Sequence, residues 1–187
     1  MSNRDALRKL SRIAPAPPEI DKIMDGLATA DDMSAAIIAG SLVEVELERL
    51  ILTKFKVSDP NLASQIFQNR GPLSDLHSKI VIAHAFGFVT SPMASELHSL
   101  KAIRNAFAHA RFPITFEHEV VAKEVASLQM IKAMRDKIDE QGDWEITNVG
   151  WYLLLTRILL IMFDEIKKHG GSANEAVTDA LHPDRQT

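Results

Sequence analysis

Apolar residues along this chain recur at three- and four-residue steps and almost nowhere alternate, a pattern that predicts helices rather than strands. Over 33–55, Ala36, Ala39, Val43, Leu47 and Leu50 fall on one face behind Asp31 or Asp32, either of which can cap the helix. Short helices are expected at 4–13 and 19–28, separated by the prolines of "APAPP", and another at 61–69. Gly71-Pro72 then opens a helix to about Ala85, with Pro72 at its first position. The next helix, about 93–110, follows "TSP" and is closed by Pro113. Thr115 with Glu117 and Glu119 predicts the capped start of a helix over about 116–139. After a "QGD" turn the last helix covers about 146–169, with Lys167, Lys168 and His169 before Gly170-Gly171. The fold expected is all-α: a single-domain bundle of about five to seven helices with a long central helix pair. Residues 1–30 form an N-terminal arm, 31–170 the helical domain, and 171–187 a loose polar tail.

At 187 residues the chain can bury roughly 70% of its unfolded surface without disulfide or metal. It has no cysteine, which removes a thiolate nucleophile and a Cys-based zinc site and fits a cytoplasmic location. The net charge of -4 and pI of about 6.0 argue against attraction of the whole surface to nucleic acid, so such binding needs a local basic patch. The first residues lack the apolar core of a secretory signal. The most apolar run, "VGWYLLLTRILLIMF" (149–163), is too short to cross a membrane and carries Arg157, so it reads as a core helix.

Phosphate loops of the GxxxxGK[ST] or GxGxxG type are missing, as is a GxSxG nucleophile turn. The histidines show no HxxxH pair, and His77 and His84, two helical turns apart, lie about 10 Å from each other along the axis. No cofactor and no metal are expected. A helix-turn-helix across 61–69 and 73–85 fits poorly, because Asp75 at the second helix's start repels phosphate. A helical hairpin is the better reading, and direct DNA binding has little support.

The one polar constellation that suggests chemistry is "IRNAFAHA" (103–110). Leu97, Leu100, Ile103 and Phe107 form an apolar stripe, and Arg104 falls inside it. Asn105 and His109 sit together on the opposite side, with His98 close in angle, while Ala102, Ala106 and Ala108 supply small flanks suited to a subunit interface. In one reading Arg104 is a structural cation paired with Glu46 or Glu44, His109 caps the helix, and Asn105 bonds a loop. In the other, Arg104 holds a phosphate and His109 acts as general acid and base in metal-independent RNA cleavage. Positions five apart on a helix point about 140° from each other. Arg104 and His109 therefore share a site only if the helix distorts near Ala108 or a second subunit brings its own copy. Lys101, Arg104 and Arg111 offer a local cationic patch, whereas Trp144, Trp151 and Tyr152 lie too far along the chain to stack bases beside it.

Three stretches in order, "AAIIAGSLVEVELERLI" (35–51), "GPLSDLHSKIVIAHAFGFV" (71–89) and "HSLKAIRNAFAHARFPITFEHEVV" (98–121), resemble the mannitol operon repressor family of bacterial helical proteins. "GPLSDLHSKI" followed by "IRNAFAH" is the specific part. The resemblance implies an all-helical fold and transcriptional regulation in sugar-alcohol metabolism without a recognisable DNA-reading motif. The third stretch is also similar to the higher-eukaryote-and-prokaryote nucleotide-binding (HEPN) superfamily, whose arginine, four to six residues, then histidine pattern is met by Arg104, Asn105 and His109. That resemblance implies a helical homodimer and, in many members, metal-independent endoribonuclease activity across the interface. Two functions follow: a non-enzymatic regulator acting as a helical oligomer through a regulatory protein or ligand, and an endoribonuclease acting on RNA. The acidic chain favours the first.

Overall fold

The computed structural model describes residues 15–68, 70–141 and 146–169, together with Asn3, Ala6, Leu7 and Ile13. The helix expected over 4–13, the "QGD" turn, the Gly170-Gly171 stop, the polar tail and Trp144 lie wholly or largely outside those residues. Among the described residues the chain is all-α: α1 (Pro17–Leu27), α2 (Asp32–Phe55), α3 (Pro60–Phe67), α4 (Leu76–Ala85), α5 (Ser91–His109), α6 (Glu119–Ala126), α7 (Lys132–Gln141) and α8 (Asn148–His169). That is eight helices against the expected five to seven. None of them is long and apolar enough to cross a membrane.

Short polar side chains start these helices by taking up amide hydrogens that have no partner within the helix. Asp31 accepts from the Ser34 amide at 2.9 Å, Asp59 from Asn61 at 2.9 Å, Asp75 from Ser78 at 3.1 Å and Thr90 from Met93 at 3.3 Å. The Ser34 and Ser78 hydroxyls donate to the same aspartates, and these bonds hold the Asp31 and Asp75 carboxyls below the usual range.

The two longest helices, α2 and α8, pack on each other, and α2 also carries α1, α4 and α5. The stripe Ala36, Ala39, Val43, Leu47 and Leu50 is fully buried, and so are Leu97, Leu100, Ile103 and Phe107 of α5. Phe107, Phe116 and Tyr152 form a chain of ring contacts at 4.8 and 5.1 Å that joins α5 to α8. Arg157 stays at the surface, bonded to Asp25 at 2.6 Å, while the apolar side of its helix fills the core.

Two expected elements differ. The helix foreseen over 116–139 is two helices, because Leu128 and Ile131 turn into the core between them. The Glu96 carboxylate accepts the Gln129 amide at 2.8 Å, and Arg135 donates to the carbonyls of Val125 and Ala126 at 3.0 and 2.9 Å. His118, not Thr115, stands at the cap of α6. Likewise α4 starts at Leu76 rather than Pro72. The Leu73 amide donates to the Ile66 carbonyl at 2.9 Å, and Gly71 lies so close to α3 that a Cβ there would meet the Gln65 carbonyl oxygen at 2.3 Å. This contact fixes a turn where the sequence pattern suggests a helical start.

Candidate functional site

α5 runs unbroken through His109, so no distortion near Ala108 brings Arg104 and His109 together. The two side chains meet different surroundings. Arg104 turns towards α2, where its Nη2 lies 3.5 Å from Glu44 Oε2. Its Nε is buried without a hydrogen-bond partner among the described residues, and its carbon stem rests on Gly40. A Cβ at Gly40 would stand 2.8 Å from Arg104 Cγ and 3.3 Å from the Tyr152 hydroxyl. That hydroxyl donates to the Ala36 carbonyl at 3.0 Å, and burial pushes its ionisation far up despite the opposing charge of Arg104. Tyr152 is thus a neutral donor that closes the floor beneath the arginine.

Glu44 has a second partner, and it is the stronger one. Lys79 of α4, only 3% exposed, places its Nζ 3.0 Å from Glu44 Oε1 and 2.8 Å from Glu48 Oε2. Glu44 and Glu48 stand four apart, hence one above the other on one side of α2, which makes them a cradle for a single ammonium. Two cations and two carboxylates balance in this network, and it joins α2, α4 and α5. A buried ammonium would be costly alone; two carboxylates at hydrogen-bond distance offset that cost.

Glu46, the other expected partner of Arg104, is engaged elsewhere. It points to a different side of α2, is 4% exposed, and bonds Arg49 and Lys167, the latter at 2.7 Å. Two residues along a helix turn a side chain by about 200°, which is why Glu44 and Glu46 cannot serve one arginine. Lys79, Gly40 and Tyr152 were not foreseen as members of the site. Lys79 was legible in principle: it is the one lysine in the apolar helix "LHSKIVIAHA", three residues after buried Leu76 and four before buried Ala83.

Asn105 and His109 lie on the outer side of α5, half-buried and exposed respectively, and neither side chain bonds a described residue. Ala102, Ala106 and Ala108 are exposed beside them. The expected cationic patch is reduced, because Arg104 is neutralised by Glu44, leaving half-buried Lys101 and exposed Arg111. His98 does not join His109; its ring faces His77 of α4. The rest of α4 argues for a packed hairpin, since Leu76, Lys79, Ile80 and Ala83 are buried and the Asp75 carboxylate occupies its start. No family model matches this chain, and neither does any curated protein or solved structure.

Proposed function

We propose that this chain is a non-enzymatic regulator of the mannitol operon repressor type, a cytoplasmic helical homo-oligomer that acts through a regulatory protein or ligand. The observation that carries this reading is the position of Arg104: its guanidinium is paired inside the molecule with Glu44, and its stem is seated on Gly40. A phosphate-holding arginine works best without a carboxylate beside it, and here Glu44 Oε2 lies 3.5 Å from the guanidinium. The exposed alanines of α5 support the oligomer, because small side chains allow two helices to approach closely.

A second reading is supported by Asn105 and His109, which are accessible and without partners among the described residues. In it, two copies of α5 meet, and His109 of one serves the phosphate held by Arg104 of the other in a metal-independent endoribonuclease. The two readings separate in one experiment. Purified protein is incubated with mixed RNA in chelator, beside His109→Ala and Arg104→Ala. The regulator reading expects no cleavage by the wild type; cleavage lost in both folded variants establishes the nuclease instead. For the regulator, a pull-down is expected to retain a specific regulatory protein. A monomer that retains none, with sugar-alcohol genes unaffected by deletion, overturns it.

A further inference from the structure

Outside the Arg104 network, the molecule places two histidines from neighbouring helices face to face. His77 of α4 and His98 of α5 are both exposed, and their ring centres lie 5.3 Å apart with the planes tilted by 42°. We propose that His77 and His98 form a two-histidine chelate for a borderline divalent cation, Zn2+ or Ni2+, clasping α4 to α5.

The separation fits that role. An ion about 2.0–2.1 Å from one nitrogen of each imidazole, at a tetrahedral angle, sets the two ring centres on the order of 5 Å apart. The rings are therefore already spaced for a shared ion. Because α4 and α5 pack on each other, little freedom is lost when one binds. The ligand form of histidine is the neutral ring, so the metal is expected to bind more tightly as pH rises above the ordinary imidazole range. The charges nearby act in both directions. Lys101 repels a cation, while the Asp75 carboxylate, two residues before His77, attracts one.

His84 is engaged elsewhere, its Nε2 lying 3.0 Å from the Ser91 hydroxyl. No third histidine or carboxylate completes a cluster among the described residues, so water fills the other positions on the ion. The geometry is that of a reversible cross-link rather than a closed structural site. It would act on the helix pair that delivers Lys79 and Arg104 to Glu44.

The test uses full-length, tag-free protein above neutral pH, titrated with Zn2+ and separately with Ni2+ in a calorimeter, and melted at several metal concentrations. Saturable binding is expected, with a melting temperature that climbs as the logarithm of free metal. Each of His77→Ala and His98→Ala should lose affinity by about tenfold or more, the least that removal of a supporting group costs a metal site. His84→Ala and His109→Ala should bind as the wild type does. Both ligand positions are at the surface, and melting curves without metal show whether each variant is folded. No saturable binding at millimolar metal overturns the proposal. So does binding undiminished in folded His77→Ala or His98→Ala, or binding lost in folded His84→Ala.

Discussion

Glu44 and Glu46 stand two residues apart on α2 and anchor two ion networks of different character. Glu44 reaches across to Lys79 and Arg104, whose chain positions are far from its own and whose helices pack on α2 and on each other. Glu46 reaches towards α8, to Lys167, and along its own helix to Arg49, which also donates to the Pro15 carbonyl at 3.0 Å. In the first network the buried member is a cation, Lys79 at 3% exposure; in the second it is the carboxylate, Glu46 at 4%. The difference decides what each loses when broken. Removing Lys79 leaves Glu44 and Glu48 repelling each other without the ammonium between them. Removing Glu46 frees two long cations, both of which reach water. The motif arginine belongs to the first network but is not its keystone.

The largest effect is thus expected from Lys79→Met. It should cost about 2–3 kcal/mol, somewhat less than a wholly enclosed pair because Glu44 and Glu48 keep partial contact with water. Urea denaturation measures it. Glu46→Gln should cost about 1 kcal/mol by the same method, since Lys167 and Arg49 can turn to solvent. A cost for Glu46→Gln equal to that of Lys79→Met would remove the distinction between the two networks. Arg104→Ala should cost about 1 kcal/mol or less, because Glu44 keeps Lys79. His109→Ala should fall within about 0.5 kcal/mol of the wild type.

A second buried carboxylate, after Glu46, provides the control. Glu96 is 3% exposed and has no ion pair among the described residues, and its Oε2 has no hydrogen-bond partner there. Burial raises its pKa above the ordinary glutamate value, against the opposing amides of Gln129 and Met130. The protonated acid is favoured in the folded state. Its stabilising contribution is therefore complete below the ordinary glutamate pKa and is lost as pH rises through the raised one. Glu96→Gln should remove that loss, so stability relative to the wild type should improve as pH rises across this window and then level off. A pH series of denaturation curves that run parallel would contradict the assignment.

The helices were legible because their signals are local. The stripes on α2 and α5, the Asp31 cap and the helix over residues 146–169 all follow from spacing within a few residues. The break inside 116–139 was not, since it depends on Glu96, more than thirty residues earlier, taking up the Gln129 amide. The candidate site divides in the same way. The opposed directions of Arg104 and Asn105 follow from the helical angle alone, and Glu44 was one of two carboxylates within reach. Choosing between Glu44 and Glu46 required the rotation of α2 about its axis, which is set by what α4, α5 and α8 bring to it. Lys79 was hidden for a related reason: a lysine in an apolar helix reads as surface until the carboxylates facing it are known.

Gly40 gives the arginine a meaning beyond charge. A glycine inside a helix forgoes about 1 kcal/mol relative to alanine, and this one lies in the buried middle of α2. The space a side chain would take is filled by Arg104 Cβ and Cγ, so the two positions behave as one piece of shape divided between two helices. Replacing the arginine by alanine would lift only the 2.8 Å contact with its Cγ; the Cβ at 104 and the Tyr152 hydroxyl, at 3.0 and 3.3 Å, would still crowd an alanine at 40. The glycine therefore belongs to the same unit as the motif, although it stands sixty-four residues away and carries no chemistry of its own.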